Sequence, residues 1–174
     1  MPLTPLHLGP GMALGMLFKR WINLPAILLA SVIVDVRAIY LALIVGNWSN
    51  LHGFFHTFIG ATLLGLVVIG LVWLFHRPLS QISRMFHIKQ EYSLQPIITG
   101  SLLGVWLHVV LDSYMHRDMD PFWPFISGNS LYGGIFAGFE LLFICMLGFL
   151  MGGGIYLYSV LKTRKAKTLI DRRE

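Results

Sequence analysis

The sequence predicts an all-α protein, a polytopic membrane helical bundle of four full spans with one short helix at its N-terminus. Three observations carry this reading. Of 174 residues, 56% are hydrophobic and only 12% charged, against about 25% charged in an ordinary soluble domain. The apolar residues come in long runs and do not alternate with polar ones, so a water-facing globule of this size has no interior that could hide them. Four runs approach or exceed the roughly 20 residues a helix needs to cross a hydrocarbon layer about 30 Å thick.

Taken in order, residues 8–18 form an apolar stretch about half the length of a span, stopping at Lys19-Arg20. That length predicts a short, tilted or re-entrant helix. The four spans follow at 24–45, 52–75, 97–115 and 135–161, each bounded by Pro, Asn, Gly or charged residues of the kind that end helices. Short connections between them predict antiparallel neighbours. Residues 1–161 read as one membrane-embedded domain and 162–174 as a basic tail. Trp21, Trp48, Trp73 and Trp123 fall near segment ends, where aromatic side chains favour the membrane interface.

The formal net charge of +5 does not point to nucleic acid, because the cations occupy connections and the tail instead of an aromatic-interleaved stripe. They gather at Lys19-Arg20, at Arg77, Arg84 and Lys89, and beyond Leu161 at Lys162, Arg164, Lys165, Lys167, Arg172 and Arg173. The positive-inside rule makes all three groups, the tail included, cytoplasmic and turns the connections 46–51 and 116–134 outward. The N-terminus, MPLTPLHLGPG, lacks the basic start of a cleaved signal, so the first apolar stretch is expected to stay in the mature protein. Cys145 lies alone in an apolar run, has no partner for an intramolecular disulfide, and reads as packing.

Ionisable side chains within spans cost about 2.5–3.5 kcal/mol each on insertion scales and need a reason. Asp35 and Arg37 lie near the middle of the first span, His52 and His56 open the second, and His108 and Asp112 sit in the outer half of the third. His7 precedes the short helix, and Glu140 lies early in the last span. Helical rise places His7, Asp35, His108 and Asp112 at a similar depth, about 16–22 Å from the inner boundary, with His52, His56 and Glu140 further out. Spacings of four put His108 with Asp112, and His52 with His56, on one helical face each, as helices build metal sites. Imidazole and carboxylate together suit Zn, with Mn or Fe possible, and a divalent ion would neutralise carboxylates otherwise stranded in an apolar bundle. His7, Asp35, His52, His56, His108 and Asp112 are therefore the expected metal ligands. His116, Asp118 and Asp120 rank below them, and His76 and His87 read as surface residues of the basic connection.

The order His7, Asp35, His52-Gly-Phe-Phe-His56-Thr57, His108-x-x-x-Asp112, followed by Pro121-Phe-Trp-Pro-Phe125, resembles the inner-membrane metal-dependent hydrolases of the LexA-regulated membrane-bound type. More distantly it is similar to the zinc-dependent phospholipase C and single-strand nuclease superfamily. That resemblance implies a zinc cluster, phosphoester hydrolysis and a bacterial or archaeal cell membrane. The chain departs from the pattern twice: it has Asp35-Val-Arg37 in place of a paired Asp-x-Asp, and His52-Gly-Phe-Phe-His56 in place of Arg-Gly-x-Thr-His. The second departure makes His56 the match to the family histidine and sets His52 where the family has arginine.

The leading expectation is metal-assisted hydrolysis of a phosphoester, with a lipid-like phosphoester favoured as substrate. Asp35, Asp112, Arg37 and Glu140 are the candidate catalytic residues. A carboxylate not bound to metal would serve as base, and the planar guanidinium of Arg37 suits a substrate phosphate. Two other classes stay open: transport of a metal ion or proton through the same residues, and a non-catalytic membrane scaffold locked by them. The expected partners are the bilayer and such a substrate; oligomeric state is not legible.

Overall fold

The computed structural model describes residues 4–48 and 51–171, with side chains described as far as Lys165. Arg172 and Arg173 of the predicted tail lie outside the described residues, as does the side chain of Lys167. Every regular element among the described residues is helical. A 3-10 turn, Thr4–His7, leads into α1, Leu8–Leu17; α2 is Leu24–Ile33, α3 Val36–Tyr40, α4 Phe58–Leu74, α5 His76–Met85, α6 Leu94–Met115 and α7 Ala137–Asp171.

Asn23 starts α2 twice over. Its side-chain oxygen accepts from the Ala26 amide at 3.1 Å, and Pro25 occupies the first turn, where a missing N–H costs nothing. The α2 backbone then lies directly on α6. A Cβ added at Gly104 would come within 2.5 Å of the Ala30 Cβ and 2.7 Å of the Ile27 carbonyl oxygen. The same close approach recurs between α1 and α7, where a Cβ at Gly148 would meet the Gly9 backbone at 2.5 Å. Small residues at such contacts let helices pack where lipid supplies no hydrophobic drive. Ala26, Ala30, Val34, Ala61, Val68, Ile97, Val105 and Val109 form the interior between α2, α4 and α6. Around it the neighbours run α7, α1, α2, α6, α4. Outward, α4 and α7 expose Leu63, Leu66, Val67, Phe139, Phe143 and Leu150, the coat of a lipid-facing bundle.

Two segments differ from the uniform spans expected. The first is broken: α2 stops at Ile33, Asp35 sits in the gap, and α3 continues as one π-helical turn, Leu41–Val45, ending at Gly46 in the left-handed region. The two halves are bent by 47°. No proline causes this; the run Val32-Ile33-Val34-Asp35-Val36 combines four β-branched side chains that crowd a helical turn with an Asp that competes for backbone partners. The second difference concerns His52 and His56, expected on the face of one helix. His56 ends a short 3-10 turn, Phe54–His56, and α4 begins only at Phe58. Thr57 sets that start, its hydroxyl oxygen accepting from the Gly60 amide at 3.0 Å. Thr57→Ala should cost about 1 kcal/mol, read as an earlier unfolding midpoint in detergent.

Only α6 and α7 are each long and apolar enough to cross a membrane alone; α2 with α3, and α4 with α5, qualify as bent pairs. The α4–α5 bend is 76°, and α5, HRPLSQISRM, is amphipathic, the pattern of a helix that lies along the surface of a layer.

Candidate metal centre

Four chain segments bring five ionisable side chains to one buried point. His7 arrives at the junction of the 3-10 turn and α1, Asp35 from the break between α2 and α3, His56 from the turn before α4, and His108 and Asp112 from successive turns of α6. All five are at most 3% exposed, and the other buried polar side chains among the described residues are uncharged Asn, Ser and Thr. The break at Asp35 matters here. Ending α2 at Ile33 sets the carboxylate at the corner of the bend, facing His56 and His108.

The geometry is that of a coordination set. His56 Nε2 lies 3.2 Å from Asp35 Oδ1 and 3.6 Å from Asp112 Oδ2. His108 Nε2 lies 3.5 Å from Asp35 Oδ1 and 3.2 Å from Asp112 Oδ2. One ligand atom from each of Asp35, His56, His108 and Asp112 falls within 4.8 Å of the others. Ligands about 2.0–2.1 Å from a tetrahedral ion stand roughly 3.3–3.4 Å apart, so these separations match the edges of such a polyhedron.

Hydrogen-bond accounting points the same way. His108 Nδ1 donates to the Ser31 carbonyl oxygen at 2.7 Å, which in the neutral ring leaves the lone pair on Nε2. That Nε2 is buried with no hydrogen bond, while facing two carboxylates. A lone pair opposed to carboxylate oxygens repels them unless a proton or a metal ion stands between. His7 also faces a carboxylate: its Nε2 is 3.0 Å from Asp112 Oδ1, neither of its ring nitrogens has a hydrogen bond, and its ring stacks on His108 at 4.4 Å. The backbone bond from His108 is the outer contact that ordinarily orients a metal-binding histidine.

A second group adjoins the first. His52, His116 and Asp112 also offer three ligand atoms within 4.8 Å of one another, so Asp112 belongs to both groups. His52 Nδ1 donates to Asp118 at 2.9 Å, leaving a buried Nε2 with no hydrogen bond, and His116 Nε2 is in the same state. The two rings lie 4.2 Å apart. Burial, and then the charge of His52, lower the pKa of His116, favouring the neutral form that binds metal. For Asp118, burial alone would raise the carboxyl, but the His52 hydrogen bond and charge outweigh it and hold it below its ordinary value. This second group borders a cavity of about 250 Å³ lined by His52, His56, Asp118, Asp120 and Trp123. Beside it, an apolar groove of about 550 Å³ runs between α4 and α6 past Phe58, Leu63, Trp106 and Phe122. Pro121 is tied to α4 by its carbonyl, which accepts from the Phe58 amide at 2.9 Å.

Of the other predicted residues, Arg37 donates to the Leu51 carbonyl at 3.3 Å and lies so close to Gly53 that a Cβ there would meet its Nη1 at 2.7 Å. It thus braces the loop that carries His52 and His56. Glu140 is exposed on the first turn of α7, accepts a hydrogen bond from the Tyr114 hydroxyl, and belongs to neither His/Asp group. His76 and His87 lie on the basic side of the bundle, away from both groups. Sequence reasoning underrates His116 and Asp118. Their one signal is position, since His116 follows Asp112 by four residues just past the end of α6.

A family model described as the YdjM inner membrane protein matches residues 1–170. No curated protein matches this chain, and no solved structure does.

Proposed function

From a chain that belongs to the YdjM inner membrane protein family, we propose a membrane-embedded metal-dependent hydrolase whose substrate is a phosphoester, a lipid-like one by preference. The observation that carries this reading is the set Asp35, His56, His108 and Asp112, buried together with ligand atoms within 4.8 Å and an imidazole lone pair turned toward two carboxylates. A locked scaffold would give every buried imidazole nitrogen a hydrogen-bond partner; here His52, His108 and His116 each have one with none, and His7 has two.

The donor set suits a divalent cation, Zn first and Mn or Fe as alternatives. Such an ion supplies a Lewis acid for a phosphoryl oxygen and lowers the pKa of a bound water to about 7. The chain's own residues divide the work. Asp35, His56, His108 and Asp112 make a closed four-ligand set, with His7 against the second oxygen of Asp112. His52 and His116, sharing Asp112, make a three-ligand set that borders the cavity, the open arrangement of a catalytic position. Asp118 orients His52, and Asp120, on the cavity wall, is a carboxylate outside both sets and within the space a substrate would fill. The apolar groove past Phe58 and Phe122 suits an acyl chain whose phosphate head lies in the cavity. Under the positive-inside rule the tail is cytoplasmic and this cavity opens toward the outer face.

The test is metal analysis of the purified protein together with a panel of phosphodiester and lipid phosphoester substrates. His108→Ala should lose both metal and turnover. His116→Ala should lower the metal content toward one ion per chain and abolish turnover while leaving the buried ion in place. Bound metal with ion flux into liposomes, and no hydrolysis of any substrate, would replace this reading with transport.

A further inference from the structure

The opposite end of the bundle carries a second built feature, independent of the metal reading. Lys19, from the connection after α1, and Arg84 and Lys89, from the end of α5 and the residues after it, line one cleft of about 350 Å³ together with His87 and with Ser159 and Thr163 of α7. Those two α7 residues are four apart and so share a helical face. Membrane orientation asks only that cations lie on one side of the bilayer; it does not ask that they converge.

Backbone chemistry fixes the convergence. Helix α5 ends in a paired 6→1 and 5→2 closure: the Ile88 amide bonds the Ser83 carbonyl at 2.8 Å and the His87 amide bonds the Arg84 carbonyl at 2.9 Å. His87 occupies the left-handed position of this motif, φ 59°, where glycine is usual. The reversal brings His87 and Lys89 to the same cleft as Arg84. Gln90 then clasps the two loops, its Nε2 donating to the Lys19 carbonyl at 2.8 Å and the Ile22 carbonyl at 3.1 Å, while its Oε1 accepts from the Leu24 amide at 3.1 Å. Among the described residues no carboxylate lines the cleft, and Lys19, Arg84 and Lys89 make no ion pair.

The residues beside the cleft are those of a bilayer interface. Lys19 is flanked by exposed Phe18 and Trp21, and Arg84 by exposed Ile82, Met85 and Phe86. Helix α5 turns 76° away from α4, as a helix lying in the interfacial plane does. Cations at a bilayer surface with apolar side chains beside them suit an anionic head whose acyl chains remain in the hydrocarbon.

We propose that this cleft is a binding site for the phosphate head of one anionic phospholipid from the adjacent leaflet. Helical rise along α6 separates it from the Asp112 centre by on the order of 25 Å, so the lipid held here is not a substrate of that centre.

Native mass spectrometry of the full chain in neutral detergent, titrated with phosphatidylglycerol or phosphatidylcholine, tests this. One phosphatidylglycerol should be retained in preference to phosphatidylcholine. Arg84→Gln should weaken retention about five-fold and the Lys19→Gln, Arg84→Gln pair about 25-fold, following the contribution of one cation near a bilayer surface. Arg77→Gln, a cation on the same helix outside the cleft, should leave it unchanged, as should Asp112→Ala. Equal losses for Arg77→Gln and Arg84→Gln would reduce the effect to general surface charge and overturn the site. So would equal retention of the two lipids, or displacement of phosphatidylglycerol by millimolar inorganic phosphate, which would make the cleft a free-anion site.

Discussion

Asp112→Ala is expected to strip the protein of both proposed metal positions at once. Asp112 is the one residue common to the two ligand groups, its Oδ2 facing His108 at 3.2 Å and His56 at 3.6 Å while its Oδ1 faces His7 at 3.0 Å. Altering groups that merely orient a ligand already lowers metal affinity about 10–100-fold, so removing a shared ligand should lower it by at least about 100-fold. Turnover should fall with it. The helical content should not, because Asp35 keeps His56 and His108 as partners and the surrounding packing is apolar. Asp112→Asn separates charge from shape: the amide fills the same space but no longer neutralises a divalent ion, and it should lose metal nearly as completely. The readouts are metal content after dialysis, competition with a chromogenic chelator, and far-ultraviolet circular dichroism. A variant that retains wild-type metal and turnover would remove Asp112, and the reading built on it, from the centre.

Gly104→Leu should damage the same centre from a residue that touches no ligand. Gly104 stands one turn before His108 on α6, where even a bare Cβ would meet the Ala30 Cβ at 2.5 Å and the Ile27 carbonyl at 2.7 Å. Backbone cannot yield as the end of a flexible side chain does, so α2 and α6 must part. Overpacking of this kind typically costs about 1–3 kcal/mol. Separation would also draw the Ser31 carbonyl away from His108 Nδ1, and Asp35 away from His108 Nε2. The expected outcome is a lowered unfolding midpoint together with metal affinity reduced by about 10-fold or more, the loss typical of a broken outer contact. Gly104→Ala should show the same changes with smaller amplitude. Gly153→Ala, where an added Cβ meets open space, should show neither.

The two variants mark what the sequence discloses and what it withholds. His108 and Asp112 are readable because a four-residue spacing inside a long, uninterrupted apolar helix leaves one geometry available. Asp35 is readable as a charge where a span cannot tolerate one. The break that aims it is harder to see, since the run Val32-Ile33-Val34-Asp35-Val36 contains neither proline nor glycine and is apolar but for Asp35 itself. His56 reaches the cluster by a route the spacing argument does not describe: it lies on a 3-10 turn closed by Thr57, not on the face of α4. The pairing of His52 with Asp118 spans 66 positions, and no local pattern encodes it. Helix α5 is masked by its basic composition, which reads as a connecting loop until its amphipathic spacing is weighed.

The order of synthesis follows from the scatter of ligands along the chain. Membrane segments insert as they are made, N-terminal first. A nascent chain that has released α4 already holds His7, Asp35, His52 and His56, but it lacks the α6 pair His108 and Asp112 that both ligand groups draw on, and His116 emerges later still. On the metal reading proposed above, a part-made chain would offer a cation only an incomplete ligand set, and loading would wait until α6 has docked. Metal capture would then report on completed assembly of the bundle.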